Sequence, residues 1–596
     1  MKQKNRLLVW EISAVAFLLS VFFISGLSSS LMKSPTFDEP VFITGGANAW
    51  RNGDYRINPE GCLLPGLWSS LPSMLNPGIK FPAVKDFPNQ DQWSLSWGYI
   101  YNSGNNSAYI LFSARMMTLF AGVLLGLLVF YISRNYFGPL GALISLGLYS
   151  FSPNILAHSR LAVSDLITSL LFLAASWTAW LALQKITWKR SLYAAILILL
   201  LFICKMSAFF FIPIFALMFV FRLFYGDALK VLLPSCKEVS IQGRVKSFWI
   251  LSGLILFLAF FVYLGIWGAY GFRYSMLSDQ QAGNALMENS WRKQIKPGLV
   301  GDSLIFAKER KLLPEAYLYG FAYTYRQAEG KLAFLSGSYS EKGWWSFFFY
   351  AFWVKTPLPF QGMLLFLFVG WIIWFRGLKV KSGLQFRFSI FFDALYKYAP
   401  LWILVCVYGL FAVTSNFNIG HRHILLIYPP LFILAGSLAS LMVIFNKKFF
   451  NGAVFLLLAL YIVDSLSIWP DYLAYFNVIA GGPKNAHKHL VDSSLDWGQD
   501  AWALQRRLKA LGLKRNDVYL SFFCSTPYKQ FGIEARKLPC FFEQRQDEIF
   551  PLRPGFYCIS ATMFRLMPFP ALTKWDEANE KKFKEYRRIM KPLLDS

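Results

Sequence analysis

The chain alternates between long apolar runs and polar connections. The first run, Leu7–Leu27, follows a basic start at Lys2, Lys4 and Arg6. Similar runs recur at about 109–132, 138–155, 165–185, 191–204, 207–224, 247–267, 355–375, 398–415, 424–445 and 452–468. A bilayer core is crossed by about 20 apolar residues in a helix. The pattern therefore predicts a mainly α, polytopic membrane protein with about eleven transmembrane helices.

The connections differ in kind. Those at Arg134, at Lys185, Lys189 and Arg190, at Lys230, Lys237, Arg244 and Lys246, at Arg376, Lys379, Lys381 and Arg387, and at Lys447 and Lys448 are short and basic. Lysine and arginine gather on the cytoplasmic side of membrane proteins, so these face inward and the N-terminus is cytoplasmic. The first run also has the outline of a cleaved signal peptide, but a multi-span protein needs its first helix for packing, and an uncleaved anchor fits better. The long connections, 29–108 and 268–345, are outer loops rich in Pro, Gly, Asn and Trp. Leu63–Leu75 reads as an amphipathic surface helix and Trp344–Phe352 as an aromatic interfacial one. Lys205-Met206 interrupts two apolar runs as a tight outer hairpin, since one continuous helix would strand Lys205 in lipid.

Past residue 470 the hydropathy falls. Leu495–Leu511 reads as an amphipathic helix, Val518–Phe523 and Gly555–Ser560 as strands, and Glu577–Arg588 as a charged helical end. The chain thus divides into a transmembrane unit, 1–469, and a small α/β domain, 470–596, outside the inner (plasma) membrane.

Composition agrees with the pattern. Hydrophobic residues make up 56% of the 596 positions, aromatics 18% and charged residues only 15%. The net charge of +26 points toward nucleic acid only until its placement is seen. Much of it lies in the short inner loops, so no nucleic-acid partner is expected. Seven cysteines form no CxxC pair and no Cys/His metal spacing, which argues against a zinc site. Cys62, Cys524, Cys540 and Cys558 fall on the outer side, where one or two disulfides or free thiols are both open.

The candidate chemistry lies at the outer helix ends. Asp38 and Glu39 follow the first span in Thr36-Phe37-Asp38-Glu39-Pro40, and Asp165 opens the fourth. Around them come Arg115, Arg160, Lys205, Lys355 and Arg422, with His158, His421 and His423. Acids at a membrane surface are costly unless paired or used. One or two carboxylates among many cations suit proton abstraction from a hydroxyl and stabilisation of a phosphate leaving group. That combination describes sugar transfer from a lipid-linked phosphate. Each cation alone is equally read as a side chain snorkelling at a helix end, and Asp165 as a helix cap. A transporter or flippase of a lipid-linked or anionic substrate is the alternative function, but it predicts repeats and polar groups at the bilayer midplane, and neither is visible. An envelope scaffold would not need acids beside a cationic rim.

Five motifs, in order, resemble one family. Phe37-Asp38-Glu39-Pro40 followed by Gly53-Asp54-Tyr55-Arg56-Ile57-Asn58-Pro59-Glu60 is similar to a first-loop motif of the GT-C glycosyltransferases, specifically the bacterial protein O-mannosyltransferase-like branch. Ser152-Pro153 with His158-Ser159-Arg160 and Asp165 resembles its second acidic motif. Lys355-Thr356-Pro357 and Gly420-His421-Arg422 resemble two further landmarks. Tyr472–Asn477 with Asp492-Ser493-Ser494-Leu495-Asp496-Trp497-Gly498-Gln499-Asp500 resembles the tail of bacterial members. The chain departs from the branch at Gly61-Cys62-Leu63, where His-Pro-Pro is common.

The resemblance implies a GT-C fold and an inverting transfer of a sugar from polyprenyl phosphate, such as a mannosyl lipid, to an acceptor hydroxyl at the outer face. It implies Asp38 as base with Glu39 in support and Asp165 holding acceptor or loop. Arg115, Arg160, Lys205, Lys355 and Arg422 would bind the donor phosphate, with His158 and His421 assisting. It implies no required cofactor, leaves divalent metal open, and leaves the acceptor open among protein, lipid and glycan.

Overall fold

The computed structural model describes residues 2–82, 92–232, 237–277, 287–288, 290–377, 383–538 and 554–566, with 584, 588, 591 and 592. Among these, eight helices are long and apolar enough to cross a membrane, and a ninth if one bent pair counts as a span. They are Val9–Met32, Ser107–Ser150, Asp165–Gln184, Met206–Tyr225, Arg244–Ala269, Leu358–Gly377, His421–Phe445 and Lys448–Ser467.

The eleven predicted runs map onto these with three differences. The second and third runs share Ser107–Ser150, which breaks at Gly138 (φ 71°) before Pro139. Proline offers no N–H, and a positive φ costs glycine little, so the break falls between the two runs. The fifth run is the 15-residue helix Trp188–Phe202. At about 1.5 Å per residue it is shorter than a bilayer core. The ninth is the bent pair Ser389–Lys397 and Ala399–Thr414, which meet at 78°.

Asp165–Gln184 and His421–Phe445 lie deep in the bundle, whereas Leu358–Gly377 and Lys448–Ser467 keep most of their apolar surface outside. The buried pair brings Asp165 and Arg422 to one end of the molecule. Lys205 sits in extended backbone between Trp188–Phe202 and the 3-10 turn Met206–Phe210, as the hairpin reading expects.

The first outer loop holds more helix than its composition suggests. Glu39–Asn52 ends at Gly53 in the left-handed conformation (φ 57°), whose N–H caps Ala49. It crosses Leu64–Leu75 so closely that a Cβ on Gly46 would lie 1.9 Å from the Gly66 carbonyl oxygen. The second outer loop supplies the helices Leu299–Glu309 and Glu315–Gln327 and the hairpin Ala333–Leu335 with Ser338–Ser340. The predicted aromatic interfacial helix is Phe347–Lys355.

A three-stranded sheet among the basic connections, Lys185–Thr187 parallel to Leu229–Leu232 and antiparallel to Val239–Ile241, has no counterpart in the hydrophobic pattern. Strands this short carry too few alternations to read.

In the tail, Val518–Ser521 pairs in parallel with both Arg536–Lys537 and Phe556–Ile559, beside the helix Ala501–Ala510. The stretch 471–500 leaves this sheet and threads into the membrane unit. Lys33 pairs with Asp471 and Asp500. Ser34 N–H donates to the Gln499 carbonyl at 3.0 Å, and Phe37 N–H to that of Trp497 at 2.8 Å. The Glu577–Arg588 stretch lies largely outside the described residues, as does Cys540. Cys62, Cys204, Cys406 and Cys558 are free thiols.

Candidate active site

The adjacent acids of the first loop part company. Consecutive residues at a helix start point about 100° apart, because the helix turns once in about 3.6 residues. Glu39 turns inward and is fully buried. Its carboxylate accepts from Arg115 Nε at 2.8 Å and Nη2 at 2.7 Å, from Thr36 N at 2.8 Å, from Thr36 Oγ1 at 3.1 Å and from Ala162 N at 2.9 Å. Burial alone would push its pKa up, but the Arg115 charge and these donors outweigh it and hold the carboxyl below its usual range. Arg115 gives its other donors to the carbonyls of Ser30, Lys33 and Ser34 at 3.1, 2.7 and 2.9 Å. All five of its N–H groups are used.

Asp38 turns the other way and faces a cavity of about 730 Å³. Arg422 Nη1 donates to its Oδ2 at 3.1 Å and lies 3.6 Å from Asp165 Oδ2. Asp165 Oδ1 accepts from Lys205 Nζ at 2.6 Å. Asp165 itself does not line the cavity; it anchors two cations, Lys205 and Arg422, that do. The Trp497 ring covers the Arg422 guanidinium at 4.2 Å.

The structure gathers Asp38, Lys205 and Arg422 at the cavity wall with Asp165 behind them. Of the other six basic candidates, His423 also lines the cavity and five lie elsewhere. Arg115 is consumed by Glu39 and the loop carbonyls. Lys355 is buried and donates to the carbonyls of Leu473 at 2.8 Å and Ser494 at 2.7 Å; burial brings its pKa down to about 7. Arg160 is wholly buried and off the cavity wall. His158 is buried, and His421 hydrogen-bonds the Tyr428 hydroxyl at 2.7 Å. Arg115 and Lys355 share one reason: cations at buried helix ends turn toward orphaned carbonyls and carboxylates rather than toward open space.

Four further polar residues line the cavity beside Asp38: Glu60, Lys331, Asp492 and Trp497. Glu60 lies in the turn Pro59–Gly61, bracketed by Asn58 (φ 57°) and Cys62 (φ 52°). The helix Glu315–Gln327 packs tightly on that turn: a Cβ on Gly320 would sit 2.5 Å from the Pro59 carbonyl oxygen. Asp492 itself adopts a left-handed φ of 54°, a costly conformation for a residue with a side chain. Burial pushes its carboxyl up to about 6. Lys331 has no ion pair among the described residues and lies 5.0 Å from the Phe417 ring centre. Glu60, Asp492 and Trp497 stand in motifs visible in the sequence, without an assigned role there. Nothing in the sequence marks Lys331.

The lining is also rich in aromatic residues: Phe209, Phe210, Phe321, Phe347, Phe411 and Phe417 belong to it, with Phe210 and Phe411 stacked at 4.3 Å. The cavity thus combines charged and apolar lining. Among the described residues no three of His, Cys, Asp and Glu are grouped to hold a metal ion.

Residues 108–234 match the model of a family described as dolichyl-phosphate-mannose-protein mannosyltransferase. Two crystal structures of ArnT from Cupriavidus metallidurans resemble the chain at 12% identity. The apo form covers 89% of this chain and 86% of ArnT with a TM-score of 0.42. The form bound to undecaprenyl phosphate covers 89% and 85% with a TM-score of 0.38. No curated protein matches the chain. The family match lies on the segment that carries Arg115, Asp165 and Lys205, so over residues 108–234 the resemblance read from short motifs is met by a continuous one.

Proposed function

We propose that the protein transfers a sugar from a polyprenyl-phosphate donor to an acceptor hydroxyl, with Asp38 as general base and inversion at the anomeric carbon. The observation that carries this reading is one cavity lined both by Asp38, Lys205, Lys331 and Arg422 and by many aromatic side chains. A polyprenyl phosphate asks for both kinds of lining, having an apolar chain and an anionic head.

In this reading the isoprenoid lies along Phe209, Phe210 and Phe411, and the phosphate meets Lys205, Lys331 and Arg422. Asp38 takes the acceptor's hydroxyl proton as its oxygen attacks the anomeric carbon. The bond from that carbon to the phosphate oxygen breaks, and the electron pair leaves with the phosphate. The leaving phosphate gains charge as the bond lengthens, so fixed cations bind it more strongly in the transition state than in the ground state. Glu60 and Asp492 face the same space and accept from sugar hydroxyls. Mannose is the sugar the family description favours. The site and tail face the outer side of the inner membrane in this reading, as the placement of inner basic loops supports.

The test is transfer of label from radiolabelled polyprenyl-phosphate mannose, and from other lipid-linked sugars, to a cell-envelope extract by purified protein in detergent. Fractionation of the labelled product identifies the acceptor. Absence of transfer from every lipid-linked sugar tried, with flipping of a lipid-linked sugar in liposomes, would replace this reading with a transporter.

A further inference from the structure

The tail motif Asp492–Asp500 has no part in the transfer just described beyond its cavity-facing ends, yet nearly every residue in it is engaged with one of two segments. One is the catalytic loop. Trp497 accepts from Phe37 N at 2.8 Å through its carbonyl, Gly498 from Ser34 Oγ at 3.0 Å, and Gln499 from Ser34 N at 3.0 Å. Ser34 Oγ accepts in turn from Ala501 N at 2.9 Å, and Asp500 pairs with Lys33 at 2.5 Å. The other is the turn that carries Arg422. Ser494 Oγ accepts from His421 N at 3.0 Å, and Ser493 Oγ donates to the Ile419 carbonyl at 3.4 Å.

Trp497 joins the two. Its backbone holds the residue before Asp38, and its indole face lies 4.2 Å over the guanidinium that contacts Asp38. The residue is 2% exposed, and its main-chain N–H donates to Gln499 Oε1 at 2.8 Å. Gly498 makes the turn possible: its φ is 90°, and a Cβ there would meet the Phe523 carbonyl oxygen at 2.7 Å.

We infer that Asp492–Asp500 is the positioning element of the active site, and that Trp497 holds Arg422 in register with Asp38. The inference rests on Asp38 being the base. A guanidinium stacked on indole has one plane to move in, so its contact with Asp38 and its reach to the donor phosphate are set together. A residue that merely filled the core would alter stability but leave the donor KM where it was.

The experiment measures kcat and donor KM separately for wild type, Trp497→Leu and Trp497→Phe, with melting temperature in detergent alongside and Asp38→Asn as the control for the base. Wild-type transfer abolished in Asp38→Asn upholds the underlying reading; transfer that survives in Asp38→Asn overturns that reading and this inference with it. With the base upheld, Trp497→Leu is expected to raise donor KM about tenfold, because Arg422 no longer stays on Asp38 or meets the phosphate in one pose. Trp497→Phe, which keeps a ring, is expected to show a smaller rise. A donor KM unmoved in both, with only a lower melting temperature, overturns the inference. If the leucine variant does not fold, the donor KM of the phenylalanine variant decides by the same criterion.

Discussion

Two carboxylate–arginine pairs stand one residue apart in this chain, and they are opposites. In Glu39–Arg115 the side chains are 0% and 1% exposed, the contact is two-pronged, and every donor is matched. In Asp38–Arg422 they are 24% and 12% exposed, the contact is single at 3.1 Å, and a cavity opens beside it. A saturated pair has nothing left to offer a substrate, whereas a half-satisfied pair at a cavity wall has both a proton acceptor and spare donors. The first freezes the loop; the second is left available by that loop. In the proposed reading the adjacent acids therefore take separate duties, one structural and one chemical.

The comparison is broken most directly at Asp38. Asp38→Asn is expected to lower transfer by about 10²–10⁴-fold, the usual cost of losing a positioned base, while melting temperature in detergent stays near wild type. Comparable loss of folding in that variant would show that the two pairs are not different in kind. At Glu39 the order reverses. Glu39→Gln removes the charge that balances a buried guanidinium, and breaking such a pair costs about 3–5 kcal/mol. Folded yield and melting temperature should fall sharply; a well-folded variant without activity would instead move Glu39 into the chemistry.

Smaller effects sharpen the cavity's own part in that comparison. Lys331→Met should raise donor KM about tenfold with little change in stability, since Lys331 holds no ion pair among the described residues and one charge-assisted hydrogen bond to phosphate contributes about 1.5–3 kcal/mol. An unchanged donor KM would leave Lys205 and Arg422 as the cations for that head group. The smallest expected effect is on pH dependence. Unfolded, Asp492 titrates near its ordinary value of 3.8; folded, burial raises it to about 6. The folded state therefore binds the extra proton between these values, and stability from this group is present at low pH and lost as pH rises through about 6. Asp492→Asn should flatten that part of the melting-temperature profile, and a profile of unchanged slope would place the buried proton elsewhere, Asp496 being the neighbour also raised to about 6.

Much of the architecture was legible. The spans at 165–185, 247–267 and 452–468 reappear as Asp165–Gln184, Arg244–Ala269 and Lys448–Ser467, because membrane thickness sets a length that composition alone can reveal. The hairpin at Lys205 was legible for the same reason. The short sheet of Lys185–Thr187, Leu229–Leu232 and Val239–Ile241 was not, since its strands are short and come from two separate connections. Of the site candidates, the structure brings Asp38, Asp165, Lys205 and Arg422 together. Arg115 and Lys355 carried the same signal, a cation at a helix end, and yet turn inward to carbonyls. Lys331 carried no signal and lies on the cavity wall.

The sequence by itself determined how many times the chain is apolar for a membrane's width, on which side its basic loops fall, and which ionisable residues collect at one end. Those follow from transfer of side chains between water and hydrocarbon, which depends on composition along the chain. Only the tertiary structure decided which of the collected charges face the cavity. That choice turns on the rotation of each helix and on which carbonyls lie unpaired nearby, and both are set by contacts between segments hundreds of residues apart, such as Phe37 with Trp497 and Asp38 with Arg422.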